Sequence, residues 1–148
     1  MVSASHNPPE DNGIKVFGAT GSKLSPERQQ AIEAGLCGGD GPGVALAASG
    51  AARHRPELLD DYRASLLSSV GLHRLDGVPI VLDLCWGSAT ACGAEVFSAL
   101  GADLTVLHGD PDGTRINVNC GSTHLEPLRR AVIEKGAAMG FGFDGDAD

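Results

Sequence analysis

Between Val78 and Phe143, three short apolar runs alternate with two helical segments, and this alternation restricts the fold more than any other feature of the chain. The runs are Val78-Pro79-Ile80-Val81-Leu82, Leu104-Thr105-Val106-Leu107 and Met139 to Phe143. Short, continuous and apolar, they read as buried strands. Ser88 to Leu100 is stopped by Gly101, and Glu126 to Lys135 has Pro127 in its first turn and Gly136 after its end, so both read as helices. A β-α-β-α-β order puts the strands in parallel with right-handed crossovers, in a three-layer α/β unit. Ligands in such sheets gather beyond the carboxyl ends of the strands. Asp144-Gly145-Asp146-Ala147-Asp148 follows the third strand at that edge.

Upstream the pattern is different. Met1 to Ser3 reads as the end of a strand whose partners are missing, and Ile14 to Phe17 as a short strand. After a turn at Gly18 to Gly21, Ser22-Lys23-Leu24 returns as a hairpin. Ser25-Pro26-Glu27 then announces a helix that stops near Gly35: an N-cap serine, a proline in the first turn and an acid at the positive end. Leu36 to Ala52 is rich in glycine and alanine without a period and reads as a linker. Pro56 opens a second helix, in which Leu58, Leu59, Tyr62, Leu66, Leu67 and Val70 make one apolar face. The expected division is therefore 1–36, the remnant of another α/β domain; 37–55, a linker; and 56–148, the βαβαβ domain. Met1 is expected to be an internal residue of a longer protein, because the first strand lacks neighbours and the last residues stop inside an acidic loop.

Composition narrows the function. The formal net charge is −8, with Lys+Arg 11 against Asp+Glu 19, so no basic face is available for nucleic acid. No apolar run approaches the roughly 20 residues of a membrane span, and the first residues lack the basic-then-apolar pattern expected of a signal peptide. Cys37, Cys85, Cys92 and Cys120 form no C-x-x-C pair, which argues against zinc and for a reducing, cytoplasmic setting. Cys85, inside a strongly apolar pattern, is expected to pack as a small hydrophobe.

Two stretches carry chemistry. Ser5 and His6 alone are a weak signal, since a serine oxygen needs a base or a metal to become a nucleophile and such pairs are common in turns. The longer string Ser5-His6-Asn7-Pro8-Pro9-Glu10-Asp11-Asn12-Gly13-Ile14-Lys15 is more specific: Asn7-Pro8 and Asn12-Gly13 force two turns that can bring Ser5 and Lys15 to one site. Asp144, Asp146 and Asp148 alternate, so an extended loop would point all three carboxylates the same way. Crowded carboxylates repel unless a hard cation such as Mg2+ sits among them; otherwise the run is a solvated acidic tail. Gly121-Ser122-Thr123-His124 leads into a helix, where Ser122 or Thr123 can act as the cap and free amides suit a phosphate. Trp86, His108 and Arg115 lie on the same edge with their roles open.

Together these residues resemble the α-D-phosphohexomutases. Ser3 to Lys15 is similar to that family's phosphoserine signature, and Asp144 to Asp148 to its magnesium loop. Arg115-Ile116-Asn117-Val118-Asn119-Cys120-Gly121-Ser122-Thr123-His124 resembles a second-domain motif of the family's bacterial phosphoglucosamine mutase branch. The resemblance covers essentially the whole chain. It implies that Ser5 carries a phosphate; that Asp144, Asp146 and Asp148 bind Mg2+, with an oxygen on Ser5 as a further ligand; and that His6 and Lys15 assist proton transfer and stabilise charge. It further implies an isomerase that converts glucosamine 6-phosphate to glucosamine 1-phosphate through a bound 1,6-bisphosphate, toward UDP-N-acetylglucosamine. The sugar-reading and distal phosphate loops of the family's third and fourth domains are absent, so the chain is expected to be a fragment, inactive alone, whose partners are a phosphosugar and the missing domains. Two rivals stand beside this reading: a phosphoglucomutase or phosphomannomutase, and a non-catalytic module that binds a metal or phosphate.

Overall fold

The computed structural model describes residues 1–37, 51 and 53–148. The linker expected over 37–55 therefore falls, for residues 38–50 and 52, outside the described residues. The chain forms two compact units, one of Val2–Gly13 with Arg55–Asp148 and one of Met1 with Ile14–His54.

The larger unit is built on a parallel sheet in the order β4-β3-β5, where β3 is Pro79–Asp83, β4 Asp103–Leu107 and β5 Met139–Gly142. Pro79 sits at the first position of β3, where its missing N–H costs the ladder least. β3 is the central strand, and Ile80, Val81, Leu82 and Asp83 are at most 1% exposed. Alternation divides its side chains between two faces. Ile80 and Leu82, with Leu84 beyond the strand end, pack with Ala94, Phe97, Leu104 and Phe143, on the side of helix α3 (Gly93–Ala99). Val81 packs on the other side, with Leu128, Ala131 and Val132 of helix α4 (Glu126–Lys135). The two connecting helices thus cover opposite faces, and β3 has one neighbour on each side. That arrangement leaves a crevice at the carboxyl ends of the strands. Leu82→Ala opens a cavity in this layer and is expected to lower the unfolding free energy by about 2–5 kcal/mol, read as a drop in the urea midpoint.

Several elements differ from the sequence expectation. The first helix of the unit is divided: Ser88–Ala91 is a 3-10 turn, Cys92 takes φ −150°, and α3 begins only at Gly93. The apolar stripe of α2 (Glu57–Ser69) is not buried, and Leu58 and Tyr62 are each 55% exposed. That helix is instead anchored through Arg63, which pairs with Glu95 at 2.7 Å and donates to the Ala91 carbonyl at 2.6 Å. Neither Ser122 nor Thr123 caps α4. Its N-cap is Leu125, and residues Gly121–Thr123 form a 3-10 turn. The helix does end where glycine allows, with Gly136 at φ +60°.

The first strand has a partner after all: β1 (Val2–Ser3) and β2 (Gly13–Ile14) make a two-stranded sheet. In the smaller unit the hairpin is reduced to one antiparallel bridge, Phe17 with Lys23, closed over Gly21 at φ +77°. Helix α1 (Pro26–Cys37) starts as expected, its Arg28 amide 3.5 Å from the Ser25 hydroxyl. Ile14 and Leu36 are 78% and 82% exposed, so this unit displays apolar surface. No helix among the described residues is long and apolar enough to cross a membrane.

Candidate functional site

The site lies in the larger unit, at the carboxyl edge of its sheet. Its first part is the loop from Ala4 to Asn12. Ala4 is buried, and its carbonyl accepts the Asn7 amide at 2.9 Å, closing a turn around Ser5 and His6. A second turn follows, with the Asp11 amide on the Pro8 carbonyl at 3.0 Å and the Asn12 side chain on the Pro9 carbonyl at 3.1 Å. Ser5 has φ +53°, in the left-handed region that non-glycine residues rarely adopt. Its amide donates to the Ser3 hydroxyl at 2.9 Å.

The second part is the acidic segment. Alternation of the three aspartates predicts an extended stretch; the structure shows a turn wound about one carboxylate. Oδ1 of Asp144 accepts the amides of both Asp146 and Asp148 at 3.1 Å, and Ala147 takes φ +74°. This winding, and not strand alternation, gathers the three side chains: carboxylate oxygens of Asp144, Asp146 and Asp148 lie within 4.8 Å of one another. With Oδ1 committed to the backbone, Oδ2 of Asp144 faces the Ser5 hydroxyl, which donates to it across 3.5 Å. Two residues 139 positions apart in sequence thus meet at one edge.

The two loops interlock through main chain. The Gly145 amide donates to the Ser5 carbonyl at 3.1 Å. A Cβ at position 145 would stand 2.7 Å from that carbonyl oxygen and 2.8 Å from Ile116 Cγ2, so glycine is the residue that permits the approach. Behind them, the Ser88 amide donates to the Gly145 carbonyl at 3.1 Å.

Electrostatically the acidic turn is under strain. Burial pushes the Asp144 carboxyl above the ordinary carboxylate range, and the charges of Asp146 and Asp148 push the same way, against the two amide hydrogen bonds that favour the charged form. An oxygen-only set of three carboxylates, one of them 2% exposed, fits a hard divalent cation. A second group of potential ligands, Asp83, His108 and Cys120, does not fit. Asp83 Oδ1 takes the His108 Nδ1–H at 2.9 Å and the Cys85 amide at 3.0 Å, and Oδ2 takes the Gly121 amide at 3.0 Å. Burial pushes the Cys120 thiol up to about 12, and its sulfur lies 3.7 Å from the Cys85 sulfur. This cluster is a brace: it fastens three loops to the end of the central strand. It also occupies the Gly121 amide that the sequence left open for a phosphate.

The remaining expected residues fall as follows. His6 is exposed and lines a cavity of about 330 Å³ with Pro8, Asn117, Val118, Asn119, Thr123 and His124. Lys15 belongs to the other unit, and the site described for the larger unit does not include it. Trp86 packs against His108, with ring centroids 5.2 Å apart, and Arg115 stacks over the Trp86 ring at 3.7 Å. Cys85 is fully buried, as expected, but is not merely apolar: its thiol donates to Asn117 Oδ1 at 3.1 Å. Asp83 carries no expectation from the sequence, and Asn117 enters only as one residue of the Arg115–His124 motif, without a role. The only sequence signal for Asp83 was a charged residue ending an apolar strand.

A family model described as phosphoglucomutase/phosphomannomutase, alpha/beta/alpha domain I, matches residues 1–39. Over its full length the chain is 97% identical to the phosphoglucosamine mutase of Synechococcus sp. (strain CC9311). Across 151 aligned positions it is 74% identical to that of Prochlorococcus marinus (strain MIT 9303). The chain spans 32% of the length of these curated relatives. Among solved structures, a phosphoglucomutase/phosphomannomutase family protein from Burkholderia thailandensis superposes with a TM-score of 0.73 at 28% identity, covering 98% of this chain and 31% of that one.

Proposed function

The chain belongs to the phosphoglucomutase/phosphomannomutase family, and on that premise we propose that it is the portion of a phosphoglucosamine mutase that carries the phosphorylated serine and the metal ligands. The observation behind this reading is the 3.5 Å approach of the Ser5 hydroxyl to Asp144 within the three-carboxylate turn. In the domain assignment we propose, residues 1–36 are the end of a first domain and 56–148 most of a second, and the rest of the protein supplies the sugar and distal phosphate contacts.

In the proposed reaction, the phosphoryl group on Ser5 Oγ passes to the free hydroxyl of glucosamine 6-phosphate. The Ser5 O–P bond breaks, a sugar O–P bond forms, the sugar hydroxyl gives up its proton and Ser5 Oγ gains one. The bound 1,6-bisphosphate reverses, and its other phosphoryl group returns to Ser5. His6 and Lys15 are assigned to proton transfer and charge stabilisation. Asp144, Asp146 and Asp148 would hold Mg2+, which when bound offsets charge on the phosphoryl oxygens. Such a transfer depends mainly on placement and charge neutralisation. A phosphoserine brings about −1.5 to −2 charges to three carboxylates, so a cation is also needed for the site to hold together. A reducing cytoplasm and a place before UDP-N-acetylglucosamine agree with this assignment.

The test uses the full-length protein containing this segment. Intact mass before and after phosphatase treatment should differ by one phosphoryl group, mapped to Ser5, and turnover should be faster on glucosamine 6-phosphate than on glucose 6-phosphate. A dominant rate on glucose would favour the phosphoglucomutase branch. A serine that never takes phosphate would favour a binding module.

A further inference from the structure

We propose that Asn117 is the positioning residue for Ser5: its side-chain amide clamps the serine turn onto the sheet edge and so holds the Ser5 oxygen in line for phosphoryl transfer. This rests on the phosphoserine reading above.

Asn117 is 6% exposed, and both of its amide hydrogens are committed. Nδ2 donates to the Ser5 carbonyl at 2.7 Å and to the Asn7 carbonyl at 2.7 Å. The first of these carbonyls lies within the turn and the second at its end, so one side chain holds the turn at two points. The amide cannot rotate away, because Oδ1 accepts the Cys85 thiol at 3.1 Å and the Asn117 backbone amide donates to the same sulfur at 3.2 Å. Cys85 is fixed in turn through its amide on Asp83, at the end of the fully buried strand β3. A continuous hydrogen-bonded path therefore runs from the core strand through Asp83, Cys85 and Asn117 to the Ser5 backbone.

Ser5 needs this support. A serine at φ +53° on a loop keeps that conformation only where its surroundings impose it. Its carbonyl has two partners in the larger unit's loops, Asn117 Nδ2 and the Gly145 amide, and the second belongs to the acidic turn itself. Among the described residues, Asn117 alone ties Ser5 to the sheet independently of that turn. The residue type fits as well. Asn117 has φ +62°, where asparagine is tolerated, and only an amide of this length combines two donors with an acceptor.

Both side-chain donors are committed and the residue is 6% exposed, so it offers substrate no N–H, and its loss should slow the chemical step without weakening sugar binding. Misplacing a reacting atom by about 1 Å can cost on the order of 100-fold in rate. Two variants of the full-length enzyme test this. Asn117→Gly keeps the left-handed backbone and deletes the clamp. Asn117→Asp keeps the shape and loses the donors. For each, kcat and KM for glucosamine 6-phosphate are measured per folded molecule, with the Mg2+ affinity of the dephosphorylated protein. We expect kcat to fall about 10- to 100-fold in both, with KM and metal affinity within about threefold of wild type. If Asn117→Gly does not fold, Asn117→Asp decides alone. A kcat within twofold of wild type, or metal affinity lost in step with kcat, overturns the proposal. Wild-type enzyme that never acquires phosphate on Ser5 would instead overturn the functional reading on which it rests.

Discussion

Replacing Ser5 by alanine in the full-length protein is expected to remove phosphoryl uptake altogether and, on the proposed function, to lower mutase turnover by more than about 10³-fold, on the scale seen when an enzyme loses its nucleophile. The expectation follows from the absence of a substitute. Among the described residues facing the acidic turn, Ser5 is the hydroxyl that donates to Asp144, and the loop that carries it is locked to Gly145 through main-chain contacts an alanine leaves intact. Because the Ser5 backbone supplies those contacts, the variant should keep its fold and lose its chemistry. Steady-state turnover and intact mass after incubation with glucose 1,6-bisphosphate check both points. Activity retained with no phosphate on the protein would require direct transfer between sugars and would exclude the mechanism.

The second large effect concerns the metal. Asp146→Asn should weaken Mg2+ binding on the order of 30- to 100-fold, or about 2–3 kcal/mol. The substitution keeps the side-chain shape and the backbone amide that donates to Asp144 Oδ1 at 3.1 Å, and removes one of the three gathered charges. Two effects arise, and they act in the same direction. The loss of repulsion relaxes Asp144, whose carboxyl burial already pushes upward, and so stabilises the metal-free turn. The loss of a negative ligand weakens attraction for the ion. Both lower apparent affinity, because one favours the free state and the other disfavours the bound state. Calorimetric titration with Mg2+ gives the result directly, and unchanged affinity would remove Asp146 from the ligand set.

The architecture was legible because its signals are local. Three short apolar runs form β3, β4 and β5, and Gly136 ends α4 at the left-handed position that glycine favours. Misreadings arose where distant partners decide. Ser88 to Leu100 looks like one helix, yet Ala89 is drawn into the core beside Leu84 and Gly93 packs onto that leucine, so the segment breaks at Cys92. Ser122 has the composition of a cap, but its amide is taken by the Phe143 carbonyl at 2.8 Å. The partner of Val2–Ser3 lies ten residues away across a loop whose closure no periodicity announces. In the site, Ser5 and the three aspartates were readable as motifs, while the means of gathering them was not: the turn about Asp144 depends on backbone amides, which carry no sequence signature. The roles of Asn117 and Asp83 are not legible for a related reason. A buried polar residue is recognised by its partners, and theirs come from loops far apart in the chain.

Whether the two ends of the chain form one phosphoryl-metal centre can be read from a single comparison. Mg2+ is titrated into the full-length protein carrying phosphate on Ser5 and into the same protein after phosphatase treatment. If Ser5 and the acidic turn share an ion, the phosphorylated form binds Mg2+ at least about tenfold more tightly, roughly 1.4 kcal/mol, and Asp146→Asn shrinks that difference. Equal affinities for the two forms would place the phosphate away from the metal and contradict the account.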